Sequence, residues 1–210
     1  MYALVSEQKA QLRAGAVVRM PGTWEDYCAW RDSRGDRSQP RVRFREGDIL
    51  LMNPMPRHGR EAHLLARTVE LLLDTHEQNY EAFTPITMEI PDHVGIEPDY
   101  CFYIEHWQAV VGKDRMDWQT DPPPDLAIEV DVTSFTAVND YARFRVPEVW
   151  ILRSTGLEIF VLQGDTYELK SKSGLFPQRD VADLVSTTVT LAAEQGSGTA
   201  LRRLREQLAE

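Results

Sequence analysis

From Leu126 to Val132 the chain reads Leu-Ala-Ile-Glu-Val-Asp-Val, apolar positions alternating with Ala127, Glu129 and Asp131. A period of two predicts a strand, whose alternate side chains share a face. Leu126, Ile128 and Val130 make the packing face. Glu129 and Asp131 share the other, about 6.6 Å apart at ~3.3 Å per residue. Like charges this close cost energy unless a cation lies between them or water screens them. The pattern therefore raises a chemical question: what do these acids face?

The same reading gives the remaining elements. Arg41, Arg43 and Arg45 alternate with Val42 and Phe44, Glu46-Gly47-Asp48 turns, and Ile49 to Met52 returns, which predicts a hairpin. Leu65, Thr68, Val69, Leu72 and Leu73 keep the helical period and predict a helix over about 60–79, with Glu61 on its buried side. Strands are expected over about 82–90, 97–104, 148–152, 157–162 and 166–170. Residues 105–124 read as an irregular connection. A short helix is expected over 136–145 with Val138, Tyr141 and Ala142 inward, and two helices over 179–193 and 199–208. Near the start, Val17 and Val18 suggest a short strand. Thr23 and Asp26 have capping-box spacing ahead of a helix with Trp24, Tyr27 and Cys28 as its apolar stripe. The order predicts an α/β (α+β) chain with a central mixed sheet flanked by helices.

Composition adds bounds. The 210 residues correspond to one to one and a half domains, and 42% hydrophobic with 27% charged residues is ordinary globular composition. Cys28 and Cys101 form no CxxC and no disulfide framework, which fits a reducing compartment. The first residues lack a cationic segment followed by an apolar run, and no stretch approaches a membrane span, so a soluble cytoplasmic protein is expected. A net charge of −10 argues against a general nucleic-acid coat. It leaves room for a local basic patch or for a site that holds metal cations.

Two places set acids beside apolar strands. Asp99 shares a face with Cys101 and Tyr103, while Glu129 lies in the strand first described. If the two strands are neighbours, Asp99 and Glu129 converge. Two carboxylates with an open side suit Mg²⁺, which completes its shell with water and substrate phosphate. The plainer alternative is a pair of acids on the exposed face of an edge strand. For Glu61 the alternatives are a helix N-terminus that favours negative charge and a carboxylate looking into a site. Arg31, Arg34, Arg37, Arg41, Arg43 and Arg45 form either a solvated face paired with acids elsewhere or a ridge that contacts phosphates. Nucleotide-binding glycine loops and a GxSxG elbow are absent. His58 and His63 are five apart and miss the spacing of a helical zinc pair. His93 and His106 read as loop or surface residues.

At this point the motifs resemble a known family. RVRFREGDILLMNPMPRH, GIEPDYCFYI, DPPPDLAIEVDVTS and YARFRVPEVWIL are together similar to the Uma-two family of restriction-endonuclease-like proteins, within the PD-(D/E)XK nuclease superfamily. The resemblance spans about residues 41–175 as a core domain, leaving 1–40 as an N-terminal extension and 176–210 as a C-terminal helical one. It implies a restriction-endonuclease-like core, Asp99 and Glu129 as metal ligands for Mg²⁺ or Mn²⁺, Glu61 as a third acid, and His58 as the histidine at the start of the first core helix. The superfamily usually carries lysine two residues after the Glu, and many members of this family carry it on the following helix. Here those positions hold Asp131, and Ala137 or Asp140. Arg143, Arg145 or Lys113 are the substitutes the chain offers, and arginine stabilises charge without shuttling a proton.

Three readings follow. The first is a metal-dependent DNA endonuclease with Asp99 and Glu129 on the metal, Asp131 adding a ligand or holding a metal water, and Glu61 placing the nucleophile. Arg143 or Lys113 then faces the scissile phosphate, and Arg41, Arg43 and Arg45 contact the DNA backbone. The second is an inactive nuclease-fold protein that binds nucleic acid or a protein partner. The third is an oligomeric scaffold. A homodimer is the expected assembly.

Overall fold

The computed structural model describes residues 12–35, 37, 39–132 and 136–209. The start of the expected N-terminal extension and the Thr133-Ser134 end of the motif above lie outside the described residues.

The chain's contacts gather into two compact units. The first is drawn from the chain up to Pro56 together with Thr87–Glu97. It holds β1 (Val17–Pro21), α1 (Trp24–Ser33), β2 (Arg41–Arg45), β3 (Asp48–Met52), β5 (Met88–Ile90) and β6 (Val94–Ile96). β4 (Glu81–Phe83) precedes β5 in the chain and belongs to the second unit. The five strands of the first unit form an antiparallel sheet in the order β1-β3-β2-β6-β5. The alternation in β2 does what its pattern predicts: Val42 and Phe44 are buried with Tyr27, Ile49 and Leu51, and the arginines take the other face. α1 starts at the expected capping box, with Asp26 N donating to Thr23 Oγ1 at 3.2 Å and Thr23 N to Asp26 Oδ2 at 2.8 Å. Tyr27 is its buried anchor. The phenol donates to Glu89 at 2.8 Å, and burial, reinforced by the Glu89 charge, pushes its pKa up.

The second unit takes Arg57–Ile86 and the chain from Pro98 onward. Its six-stranded sheet runs β11-β10-β9-β8-β7-β4, with β7 (Tyr100–Tyr103), β8 (Leu126–Val130), β9 (Glu148–Arg153), β10 (Gly156–Gln163) and β11 (Thr166–Lys170). β8 and β9 are parallel, and every other neighbouring pair is antiparallel. Parallel neighbours need a crossover. It is supplied by the segment carrying a 3₁₀ helix, Val138–Phe144, where the sequence suggested an ordinary short helix.

One sheet face is covered by α2 (Pro56–Thr75), α4 (Val181–Gln195) and α5 (Ser197–Leu208). Phe102, Leu126, Ile128, Val130, Trp150 and Leu152 meet Leu65, Val69, Leu72, Leu184 and Leu204 there. At ~2 kcal/mol for each fully buried aliphatic chain, the leucines of α2 alone contribute on the order of 10 kcal/mol before entropy is set against them. On the other face, Cys101, Tyr103 and Val110 pack with Phe83, Trp107 and Met116. A short helix, α3 (Trp107–Val110), interrupts the expected irregular connection. Burial raises the Cys101 thiol to about 12. Glu148, also buried, ties the following loop to the sheet by accepting from Trp150 Nε1 and Ser173 Oγ at 2.6 Å and Gly174 N at 2.8 Å. Among the described residues no helix is long and apolar enough to cross a membrane.

Two expectations are corrected. The stretch 82–90 is not a single strand but divides into β4 and β5, which belong to different sheets, and the strand expected over 97–104 is the shorter β7, with Glu97, Pro98 and Asp99 ahead of it. Pro85 and Pro98 lie at the breaks. Proline has no N–H for a ladder, so an apolar run that spans one cannot continue as a central strand.

Gly95 in β6 lies under the Tyr27 ring, and a Cβ there would sit 2.5 Å from the ring's Cζ and hydroxyl oxygen. Gly95→Ala is therefore expected to destabilise the protein by about 1–3 kcal/mol, read as a lower urea midpoint. An unchanged midpoint would mean that α1 does not hold Tyr27 rigidly against the sheet.

Candidate active site: a buried carboxylate pair

The register of β7 on β8 sets Tyr100 opposite Ile128. Just ahead of β7, Asp99 N donates to Ile128 O at 3.0 Å and so holds Asp99 beside the end of β8 that carries Glu129. Both carboxylates are 1% exposed. The condition set from sequence, that the two strands be neighbours, is met by β7 and β8, and neither is an edge strand.

Burial at this depth obliges each carboxylate to find donors. Asp99 Oδ1 meets His58 Nε2 at 2.7 Å, and Asp99 Oδ2 accepts from Val130 N at 2.7 Å. An ionised carboxylate only accepts, so its hydrogen bond here requires the proton of His58 on Nε2. Glu129 Oε1 accepts the phenol of Tyr141, which is fully buried on the 3₁₀ helix. His58 comes from the first turn of α2, three residues before Glu61, and positions three apart are neighbours on a helix surface. Glu61 is buried on the helix side its pattern predicted and accepts from Arg57 Nε at 2.7 Å. A cleft of about 420 Å³ has Arg57, Arg60 and Glu61 on one wall and Val189, Thr190 and Glu194 on the other.

Asp131 lies just past the end of β8. Its amide donates to Leu152 O at 2.9 Å, which extends the parallel register by one residue and brings Arg153 alongside. Arg153 Nη1 pairs with the Asp131 carboxylate, and Arg153 Nε pairs with Glu158 at 2.8 Å. The same Asp131 carboxylate accepts from Thr136 N at 2.9 Å and Thr136 Oγ1 at 2.7 Å. Asp131 is thus a tethered group with a cation of its own.

The other expected cations are distributed differently. Arg143 is exposed on the 3₁₀ helix, and Arg145 pairs with Asp165 at 2.7 Å. Lys113 pairs with Asp121 within its own connection, where the Asp117 amide and then Lys113 hold the Asp121 carboxyl below its usual range. The arginines of residues 31–45 belong to the first unit, and several are engaged with acids or carbonyls there. Arg31 pairs with Glu89 and Asp32, and the buried Glu97 takes Arg34 in a two-point contact. Arg43 Nη2 donates to Glu97 O at 3.2 Å. His106 Nδ1 bonds the buried Asp125 at 2.9 Å, which also accepts three backbone amides of that turn. Among the described residues no group of three or more His, Cys, Asp or Glu side chains is gathered as a metal cluster. The set that fits a hard divalent cation is the two-carboxylate one, Asp99 with Glu129, since Mg²⁺ is commonly held by one or two carboxylates and otherwise by water and phosphate.

Sequence reasoning missed two contributors. Tyr141 read as a packing residue and Arg153 was not singled out. A signal for Arg153 was present: LAIEV and EVWIL are apolar runs of equal length joined by a short crossover, and Asp131 and Arg153 each follow the last apolar position.

A family model described as "Uma2: Putative restriction endonuclease" matches residues 24–194. The chain belongs to this Uma2 family. The match runs past the 41–175 stretch on both sides and takes in α1 and nearly all of α4. No curated protein matches the chain. Among solved structures, a protein from Anabaena variabilis described as a "putative nuclease belonging to DUF820" is similar in fold, with a TM-score of 0.51 at 14% identity over 79% of this chain and 98% of that one. At that identity the likeness is one of fold, and it agrees with the mixed sheet flanked by helices.

Arg153 and Asp131 are well buried, with side chains 14% and 4% exposed. Arg153→Ala leaves the Asp131 charge without this partner, and a loss of about 3 kcal/mol in folding stability is expected by chemical denaturation. A loss below about 0.5 kcal/mol, the scale of an exposed pair, would show that Asp131 does not depend on Arg153.

Proposed function

We propose that this Uma2-family protein is a metal-dependent endonuclease that hydrolyses DNA phosphodiester bonds, using Mg²⁺ or Mn²⁺. The observation that carries the reading is that Asp99 and Glu129, brought by the neighbouring strands β7 and β8, are both buried and both supplied with donors. Asp99 and Glu129 are the residues assigned to the cation, which when bound supplies charge stabilisation at the phosphate and an activated water. The chain's own groups do the rest. His58 holds the Asp99 carboxylate in orientation, and Glu61, on the same helix side, helps to place the nucleophile. Arg143, exposed on the 3₁₀ helix, is assigned to the scissile phosphate, with Lys113 as the alternative cation. Arg41, Arg43 and Arg45 are the proposed contacts to the DNA backbone. Asp131 takes the part of an anchor, given its bonds to Thr136 and Arg153. A cytoplasmic setting is proposed, and a two-fold homodimer is the proposed assembly.

A second reading is favoured by one specific observation. Asp131, Ala137 and Asp140 stand where a lysine is expected. A nuclease-fold protein that binds nucleic acid or a protein partner without cleaving would carry such a site.

Incubation of the protein with supercoiled plasmid and Mg²⁺ or Mn²⁺ separates them. Cleavage is expected that falls about a thousandfold in Asp99→Ala and in Glu129→Gln, the scale of several kcal/mol of lost charge stabilisation. Retarded but intact DNA in a gel shift would support the binding reading. Cleavage that persists in both variants would remove these residues from the reaction.

A further inference from the structure

The crossover between β8 and β9 is closed twice, one closure nested inside the other. The inner one joins Asp131 to Thr136 through both the backbone amide and the hydroxyl of Thr136. The outer one joins Glu129 to Tyr141. Between them the chain turns into a seven-residue 3₁₀ helix, a form with poor hydrogen-bond geometry that is seldom stable at that length without outside support. Support is present at both ends. At entry, Arg153 holds Asp131 and is itself held by Glu158. At exit, Arg145 adopts a left-handed conformation (φ 61°) and is tied to Gly164 O at 2.8 Å and to Asp165, while Tyr167 Oη donates to Val146 O at 2.6 Å. Tyr141, in the middle, cannot drift far from the oxygen it serves.

We propose that Tyr141 is the positioning residue of the carboxylate pair, fixing Glu129 for a divalent cation, and that Arg153, Asp131 and Thr136 form the brace that keeps Tyr141 in place. The proposal rests on the nuclease reading above and extends it to residues that touch no substrate. A glutamate side chain has three rotatable bonds and loses much freedom when it is ordered around an ion. A fixed phenol donor orders it beforehand, as partners behind metal ligands generally do. The brace also explains why a second acid is kept on this strand face: Asp131 organises the crossover that carries the donor to Glu129.

Calorimetric titration of the full-length protein with Mn²⁺, beside thermal melts and plasmid-cleavage kinetics, tests this. Tyr141→Phe keeps the buried ring and removes only the hydroxyl. It is expected to weaken Mn²⁺ binding about 10- to 100-fold and to lower kcat while KM for DNA stays near that of the parent. Thr136→Val is expected to weaken binding in the same direction, and Thr136→Ser to restore it; this pair decides the matter if Tyr141→Phe does not fold. Asp131→Lys sets a second cation against Arg153 and removes both bonds to Thr136, so it too is expected to weaken binding. Mn²⁺ affinity within twofold of the parent in Tyr141→Phe, with affinity lost in Asp99→Ala, overturns the proposal and leaves the nuclease reading standing. Tighter binding or faster cleavage in Asp131→Lys overturns the brace. A parent protein that binds no Mn²⁺ overturns both the proposal and the reading it rests on.

Discussion

Two carboxylates at 1% exposure, Asp99 and Glu129, set the terms for the second unit. An ionised acid taken out of water costs several kcal/mol unless donors or charge compensate it. Asp99 and Glu129 obtain donors from different elements, an imidazole on α2 and a backbone amide for one, a phenol on the 3₁₀ helix for the other. Each element must then be fixed for its own reason. The leucines of α2 seat that helix on the sheet and so deliver His58. The 3₁₀ helix buries Tyr141 and Phe144, and its ends are tied in addition by hydrogen bonds and ion pairs. A hydrophobic device and a polar one serve a single pair of acids.

The legible parts of the fold were those with strong periodicity. The hairpin at 41–52, the long helix carrying Glu61, the strand 126–130 and the later strands follow from alternation or from a 3.6-residue period, and the Thr23 cap from its spacing with Asp26. The neighbouring of the strands that carry Asp99 and Glu129 was legible only as a conditional, because nothing local says which strands pair. The errors at 82–90 and 97–104 came from letting apolar content outweigh Pro85 and Pro98. The resemblance to the Uma-two family, read from four motifs, agrees with the family match. Tyr141 was harder to see. A tyrosine with apolar neighbours reads as packing, and its hydroxyl acquires meaning only once the register puts Glu129 within reach.

Charge is the other thread. The chain carries a net −10 and places many of its arginines against its own acids: Arg31 on Glu89, Arg34 on Glu97, Arg153 on Asp131 and Glu158. Asp131 and Arg153 show how a local sequence view misleads. Two residues after Glu129 an acid stands where a lysine is expected, but the adjacent parallel strand ends in a guanidinium at the same level. That guanidinium answers two carboxylates, so it balances the strand ends without adding net positive charge for a phosphate. In the proposed function, attraction of DNA then depends on cations outside this cluster.

In the proposed function Asp99 and Glu129 together hold a divalent cation, and anomalous diffraction from crystals soaked in Mn²⁺ decides whether they do. The expected result is a single strong peak within about 2.5 Å of a carboxylate oxygen of both residues, lost in crystals of Glu129→Gln. A peak bound elsewhere on the chain, or none at millimolar Mn²⁺ with both side chains ordered, contradicts it.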